Sequence, residues 1–327
     1  MNRPRLSDIA KEAGVSTATM SNALNYKSGV ARAKAEELRR LAAQMGYVNE
    51  NNSDSGSVRL VIYKKYGKVV QDTPFFAQLI EGIQSECQKL SSDLLINHVS
   101  RGEDLVSLLD RPVLLLATEM DSSDLVPFRK LSYPLLLLDS DFRFEPYSSV
   151  TIDNFEAGYL AGRALIDSGH SRIGFLDSSL PFNNMRDRYA GFCEALRESK
   201  LEPFSRVPLE PTMEGSYHDM AVYLLSHSEL PTAFFAGNDI IAIGASRALK
   251  QAGLRLPEEL SMIGMDDMPM CQVVEPTLST IRVDKHTFGV IAVDRLHDML
   301  ENRQNICQRI RMSVTFIQRN SVTIPRS

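Results

Sequence analysis

The sequence predicts a small all-α head followed by an α/β body made of two doubly wound parallel-sheet lobes. Three observations carry this. Residues 6–45 hold three short helical patterns. Residues 49–57 contain no large apolar residue. From Val58 onward, short apolar runs alternate with helical patterns for about 270 residues, which is long for one sheet.

In the head, Leu6, Ile9, Ala10 and Ala13 recur at the spacing of one helix face. Gly14 suits the left-handed residue that ends such a helix. Ser16 is placed to cap a second helix, in which Met20, Ala23 and Leu24 face inward. Thr17, Ala18, Thr19, Ser21 and Asn22 are left facing outward, small and mostly polar. Two helices joined by a tight turn, the second with such a face, form the helix-turn-helix plan that enters the DNA major groove. Tyr26 to Val30 reads as a loop. Arg32 to Met45 gives a third helix, with Ala35, Leu38, Leu41, Ala42 and Met45 inward and Gly46 as its stop. Asn49 to Ser57 is a linker rich in turn formers.

The body offers strands at Val58–Tyr63, Leu94–Val99, Val113–Leu116, Leu135–Leu138, Ser149–Ile152, Ile173–Leu176, Thr232–Ala236 and Leu260–Gly264. Helices are expected at Phe76–Leu90, Phe155–Ser168, Met185–Ser199, Gly215–Ser226 and Ile240–Ala252. Continuous apolar strands alternating with helices imply parallel sheets covered on both faces. Such sheets bind ligands beyond the carboxyl ends of their strands. Asp139, Asp153, Asn238, Asp239, Asp266 and Asp267 stand there. Helix capping accounts for Asp153 and Asp239, which precede helical patterns. It accounts less well for Asp139 and Asp266. His170, after Ser168-Gly169, suits a helix C-terminus.

Composition narrows the function. With 36 Lys+Arg against 41 Asp+Glu, the net charge is -5, unlike a wholly basic nucleic-acid binder. The first 50 residues nevertheless carry eight basic against five acidic side chains, a basic head on an acidic body. Cys87, Cys193, Cys271 and Cys307 are scattered without paired spacing, which favours free thiols in a reducing cytoplasm. There is no membrane-span-length apolar run, signal-peptide core, Gly-rich phosphate loop or metal-spaced His/Cys cluster. An enzyme, a metal and a cofactor are therefore not expected.

Many motifs stand in one order. They are Asp8-Ile9-Ala10 with Ala13-Gly14-Val15-Ser16; Thr19-Met20-Ser21-Asn22-Ala23-Leu24-Asn25; Met45-Gly46-Tyr47; Pro74-Phe75-Phe76; and Ile152-Asp153-Asn154 with Gly158. Gly169-His170, Arg188-Tyr189-Ala190-Gly191-Phe192, Gly237-Asn238-Asp239, Gly264-Met265-Asp266-Asp267 and Pro276-Thr277-Leu278-Ser279-Thr280-Ile281 follow. In these, over almost its whole length, the chain resembles the lactose repressor/galactose repressor family of bacterial transcription regulators. The resemblance implies a cytoplasmic homodimer that binds a near-palindromic double-stranded DNA operator. Its body would be of periplasmic-binding-protein type and close on a small effector, a sugar or sugar derivative. The implied division is a head at 1–48, a linker at 49–57 and a body at 58–327. Lobe 1 would span about 58–153 plus 285–318, and lobe 2 about 154–282 plus 319–327, joined by three crossovers. The absence of an added heptad helix after Phe316–Val322 favours a dimer over a tetramer.

The resemblance also assigns residues. Thr17, Ala18 and Asn22 match base-reading positions. Asn22 suits adenine, where many relatives carry an arginine that reads guanine. Ser16, Ser21, Asn25 and Lys27 match phosphate contacts, and Leu6, Ser7 and Thr19 complete the expected DNA-facing set. Phe75, Asp139, Arg188, Tyr217, Asn238 and Asp266 match cleft positions, with Phe76 and Lys285 beside them. Lys285 and the run Lys64-Lys65-Tyr66-Gly67-Lys68 would suit an acidic or phosphorylated effector. A sugar-binding module, or a regulator answering to a non-sugar corepressor, is the competing reading.

The linker departs from the family. Relatives often carry a hinge leucine that wedges into the minor groove. Here no leucine lies between Asn49 and Ser57, and Glu50 and Asp54 would be repelled by phosphate. Replacing 51–57 with a Gly/Ser linker should therefore leave operator affinity within about twofold in a filter-binding titration. A large loss would assign the linker a DNA contact of its own.

Overall fold

A computed structural model describes residues 5–24, 30, 32–45, 57–67, 74–100, 108, 111–130, 133–302 and 306–325. Two compact units divide at Ser57/Val58. The linker positions 49–56, together with Asn25, Gly46 and the lysines at 27 and 68, lie outside the described residues.

The head contains α1 (Leu6–Glu12), α2 (Thr17–Leu24) and α3 (Arg32–Gln44). Gly14 adopts φ +63°. Val15 N–H bonds the Ala10 carbonyl and Gly14 N–H that of Lys11, so the chain leaves α1 through a Schellman turn. Ser16 Oγ accepts from Thr19 N–H at 3.0 Å and caps α2. Ile9, Ala10, Met20, Ala23, Leu24, Ala35, Leu38 and Ala42 form the core, with Leu6 packed against it. This small core follows the three inward faces expected from helical spacing.

The body is built on two six-stranded sheets. The first runs β11-β5-β4-β3-β1-β2: β1 (Ser57–Tyr63), β2 (Asp93–Val99), β3 (Val113–Leu116), β4 (Leu135–Leu138), β5 (Ser148–Ile152) and β11 (Arg309–Met312). The second runs β12-β10-β9-β8-β6-β7: β6 (Ile173–Ser178), β7 (Arg206–Leu209), β8 (Ala233–Ala236), β9 (Ser261–Asp266), β10 (Ser279–Arg282) and β12 (Thr315–Ile317). In the second sheet β12 runs antiparallel to β10, while the pairings of β6 through β10 are parallel. Helices α4 (Pro74–Lys89) and α9 (Lys285–Asn302) pack together on the first sheet. Helices α5 (Asn154–Asp167) and α6 (Asn183–Glu198) form one pair in the second lobe, and α7 (Met213–Ser226) and α8 (Asp239–Gln251) the other.

The chain crosses between lobes three times: from β5 to α5, from β10 to α9 and from β11 to β12. The last crossing corrects the expected boundary at 318. Residues 315–317 pair with β10 of the second sheet, so lobe 1 ends after Met312. One apolar cluster runs through the crossings, joining Leu60, Leu79 and Phe288 to Phe175, Phe192 and Phe235 by way of Ile152, Ile281 and Val314.

Two local constraints shape the second lobe. At the α5–α6 crossing, a Cβ on Gly158 would lie 1.8 Å from the Arg188 carbonyl oxygen, and one on Gly191 would lie 1.9 Å from that of Phe155. The helix backbones therefore touch, and only glycine fits. Beneath the sheet edge, Asp239 is fully buried. Its Oδ1 accepts from Thr280 Oγ1 at 2.6 Å and its Oδ2 from Met268 N–H at 2.8 Å. These bonds tie α8 to β10 and to the turn after β9. Asn238, rather than Asp239, caps α8, its Oδ1 accepting from Ile241 N–H at 2.9 Å. Asp153 caps α5 as expected, accepting from Glu156 N–H. His170 N–H bonds the Leu165 carbonyl at the end of α5. Its ring instead meets Thr232, Ser261 and the Thr323 carbonyl, so it anchors the C-terminal tail.

Gly158→Ala should destabilise the body by ~2 kcal/mol, because the backbones must separate. A thermal midpoint equal to the parent's would show that the helices can part freely.

Burial pushes the Asp239 carboxyl up to about 7, with the nearby Asp266 carboxylate adding to it. A raised carboxyl stabilises the fold while protonated, below about pH 4, and that contribution fades as pH rises through about 7. Burial lowers the His170 ring, which works in the opposite direction but equally in both proteins compared. The thermal midpoint of Asp239→Asn should therefore gain on the parent steadily between pH 4.5 and 7.5. A constant difference would show that Asp239 titrates normally.

Candidate effector cleft and DNA-facing helix

In the body, a cleft of about 470 Å³, part of it open to solvent, is lined from both lobes. Lobe 1 contributes Phe75, Phe76, Thr118 and Asp139; lobe 2 contributes Phe182, Asn184, Met185, Arg188, Pro211, Asn238 and Asp266. The acidic and amide residues among them follow the carboxyl ends of strands or open the helices after them, as the parallel topology requires. Asp139 follows β4, Thr118 follows β3, Asn238 follows β8, and Asp266 closes β9. Asp139 has φ +63° and Asp266 φ +109°, conformations that bulky side chains resist and that surrounding bonds must hold.

Arg188 is 5% exposed. Its Nε donates to Asn154 Oδ1 at 2.8 Å and its Nη1 to the Gly237 carbonyl at 2.5 Å. Nη2 has no protein acceptor among the described residues. Asp139 Oδ2 accepts from Thr118 Oγ1 at 2.7 Å, while the buried Oδ1 closes no hydrogen bond among the described residues. Burial pushes the Asp139 carboxyl up to about 6; Thr118, Arg188 and the nearby Asn184 amide pull it back, and Asp266 pushes it further. Burial likewise raises Asp266, against the pull of Arg188 and Lys285. Phe75 and Phe76 meet edge to face at 5.1 Å between centroids, and each is at most 6% exposed. They serve both the core and the cleft.

Three expectations change. Tyr217 lies on α7 away from the cleft: its hydroxyl donates to Gln251 and its ring stacks under Arg247, packing α7 on α8. Lys285 does not line the cleft. It sits behind it, its Nζ bonded to the Asp266 backbone carbonyl and 5.8 Å from the Phe75 ring centroid. Lys65, offered as a cation for an acidic ligand, is already paired. It donates to Asp121 at 2.5 Å and Asp124 at 2.9 Å, and its bond holds Asp121 down at about 2. The loop is further pinned by Tyr66 and Gly67 N–H groups on Glu119. The described cleft thus presents acceptors balanced by Arg188, without a surplus of free cations.

Thr118, Phe182, Asn184, Met185 and Pro211 were not singled out from sequence. Thr118 stands after β3 just as Asp139 stands after β4. Asn184 lies one helical turn before Arg188. Either spacing points to the cleft once the strands are fixed.

In the head, Thr17 and Ala18 are exposed, and Thr19, Ser21 and Asn22 half-buried. Ser7 and Ser16 are exposed, whereas Leu6 is half-buried and packs on the head core. The outward face of α2 is thus assembled from the expected residues, with Leu6 serving the core beside it.

Comparison with known proteins agrees with both units. Residues 5–50 match the family model for bacterial regulatory proteins of the lacI family, and residues 163–322 match that for a periplasmic binding protein-like domain. The ribose operon repressor of Haemophilus influenzae is 32% identical, over 97% of this chain and 98% of its own. The HTH-type transcriptional repressor PurR of Mannheimia succiniciproducens is 31% identical over the same shares. A lacI family transcriptional regulator from Enterococcus faecium, solved with bound ribose, superposes with a TM-score of 0.72 at 25% identity, over 82% of this chain and all of its own. With head, body and near-full-length relatives in agreement, this chain belongs to the lacI family of bacterial regulatory proteins, DNA-binding transcription regulators whose bodies bind a small effector.

Proposed function

We propose that the protein is a cytoplasmic, homodimeric repressor of carbohydrate-utilisation genes, and that its effector is a small neutral polyhydroxylated molecule of the sugar class. The observation that carries the ligand class is the buried Oδ1 of Asp139, which closes no hydrogen bond among the described residues although the Asn184 amide lies near the carboxyl, in a cleft shared with Arg188 and Asp266. A buried acceptor without a donor is costly, and a ligand hydroxyl supplies the donor. Arg188 Nη2 then donates to a ring or hydroxyl oxygen, and Asp266 accepts from a further hydroxyl. Asn238, its Oδ1 used by the helix cap, offers its amide N–H. Phe75, Phe76 and Phe182 give an apolar surface for the C–H face of a ring. The ribose-binding relative and the ribose operon repressor support this chemistry.

An acidic effector is disfavoured, because Lys65 is neutralised and two carboxylates face the cleft. On the DNA side, two copies of α2 held by a two-fold body would address a near-palindromic operator. Thr17, Ala18 and Asn22 then meet base edges, and Ser7, Ser16 and Ser21 meet phosphates. Asn25 and Lys27, from outside the described residues, complete that set.

The test is a gel shift with operator duplexes selected from random DNA, run with D-ribose, D-glucose and sugar alcohols. At least one should change operator affinity fivefold or more and raise the thermal midpoint of the body. Arg188→Met should weaken that sugar's binding about 100-fold while sugar-free operator binding survives. Failure to select any duplex would remove the DNA assignment. Operator binding indifferent to every neutral sugar would remove the ligand class.

A further inference from the structure

Lys285 is the first residue of α9, a lobe 1 helix packed on α4, and its side chain is 5% exposed. A buried ammonium needs acceptors. It finds two backbone carbonyls, that of Asp266 and that of Val283 at 3.5 Å. Asp266 belongs to lobe 2. The bond therefore spans the β10–α9 crossover and grips the cleft acid from behind.

The gripped turn is unusual. Asp266 and Asp267 are consecutive non-glycine residues at φ +109° and +52°. Neighbouring bonds hold the far side: Asp267 carboxylate pairs with Arg282 and Arg319, each at 2.6 Å, and Met268 N–H bonds Asp239. Lys285 holds the near side. Charge matters equally. Facing Asp266 are Arg188 from α6, Lys285 from α9, Asp139 from the loop after β4 and Asp239 from α8. Two cations balance three carboxyls. Arg188 is directed to Asn154, Gly237 and the cleft, so Lys285 is the cation placed behind the carboxylate.

We infer that Lys285 is a positioning residue for effector recognition: from lobe 1 it fixes the Asp266 turn and supplies the charge that keeps the Asp266 carboxylate an acceptor for ligand. The inference rests on the cleft being the effector site, and it assigns Lys285 no ligand contact. Because Nζ also lies near the Phe75 ring, one side chain touches a cleft residue of each lobe.

The experiment uses the full chain, labelled at aspartate Cγ, with Asp266→Asn to identify the resonance. Lys285→Met removes donor and charge, Lys285→Gln removes the charge alone, and Lys285→Arg retains both. The Asp266 titration midpoint should move up by about one unit in Met and Gln, a tenfold change in proton affinity, and return in Arg. D-ribose affinity, followed by calorimetry, should fall about tenfold in the uncharged variants on the acid side of the Asp266 midpoint that the titration reads, and by less on its basic side. An Asp266 midpoint unmoved in Lys285→Gln overturns the inference, as does a ribose loss equal on both sides of that midpoint. Should ribose not bind the parent protein, the neutral sugar that shifts operator affinity takes its place in calorimetry; should none bind, the ligand class proposed above fails, and the Asp266 titration still decides the role of Lys285.

Discussion

Everything in the cleft depends on how one buried guanidinium is held. Arg188 stands among two cleft carboxyls raised by burial, and it must be fixed closely enough to balance both. The fixing begins in the backbone. Gly158 and Gly191 let α5 and α6 touch, and this contact brings Asn154 at the start of α5 against the Arg188 fork. The Gly237 carbonyl supplies the second anchor from the turn after β8. Two of the three guanidinium nitrogens are thus committed to protein, which preorients the third. A lysine at this position would keep the charge and lose the fork.

The same economy of charge extends outward in layers. Asp139 and Asp266 meet the cleft, Lys285 stands behind Asp266, and Asp239 lies deeper, bonded to Thr280 and the Met268 amide. Each carboxyl is offset by donors of a different kind: hydroxyl, backbone amide, guanidinium or ammonium. Such a network specifies one arrangement more sharply than an apolar core would. It also explains why residues in left-handed conformations collect here. The turns at Asp139 and Asp266 bring carboxylates back over their strand ends, and the network holds them there.

Much of this was legible in the chain. The three head helices, the eight apolar strands and the polar residues following them came from periodicity and from the rule for parallel sheets. Strands without a continuous apolar run were harder. β7, four residues like β3 and β4, alternates in exposure, and β12 has only three residues, too few for period to speak. That is why the last crossover falls before 315 rather than at 318. Side-chain direction was harder still. Tyr217 follows a strand–helix turn, as cleft residues do, yet the packing of α7 on α8 rotates it toward Gln251. Lys65 looked free because Asp121 and Asp124, which neutralise it, lie more than fifty residues away. Asn238 and Asp239 exchanged roles by a single position, a distinction that only the geometry of the cap can make.

The division of the site between lobes bears on regulation. A ligand shifts a conformational equilibrium only by binding the two states unequally. One that touched lobe 2 alone, through Arg188, Asn238 and Asp266, would be bound equally at any lobe separation. Asp139, Thr118 and the Phe75–Phe76 pair change this, because they belong to lobe 1 and meet the same cleft. In the proposed mode, a hydroxyl donating to Asp139 Oδ1 while Arg188 grips its ring meets both lobes only near the present closure. Each bond lost on opening weakens binding by about 1–3 kcal/mol, so two such bonds give a differential affinity of tenfold or more. Under the proposed assignment of the cleft, a ligand needs no contact outside it to bias the body, and its selection between states and its recognition come from the same few side chains.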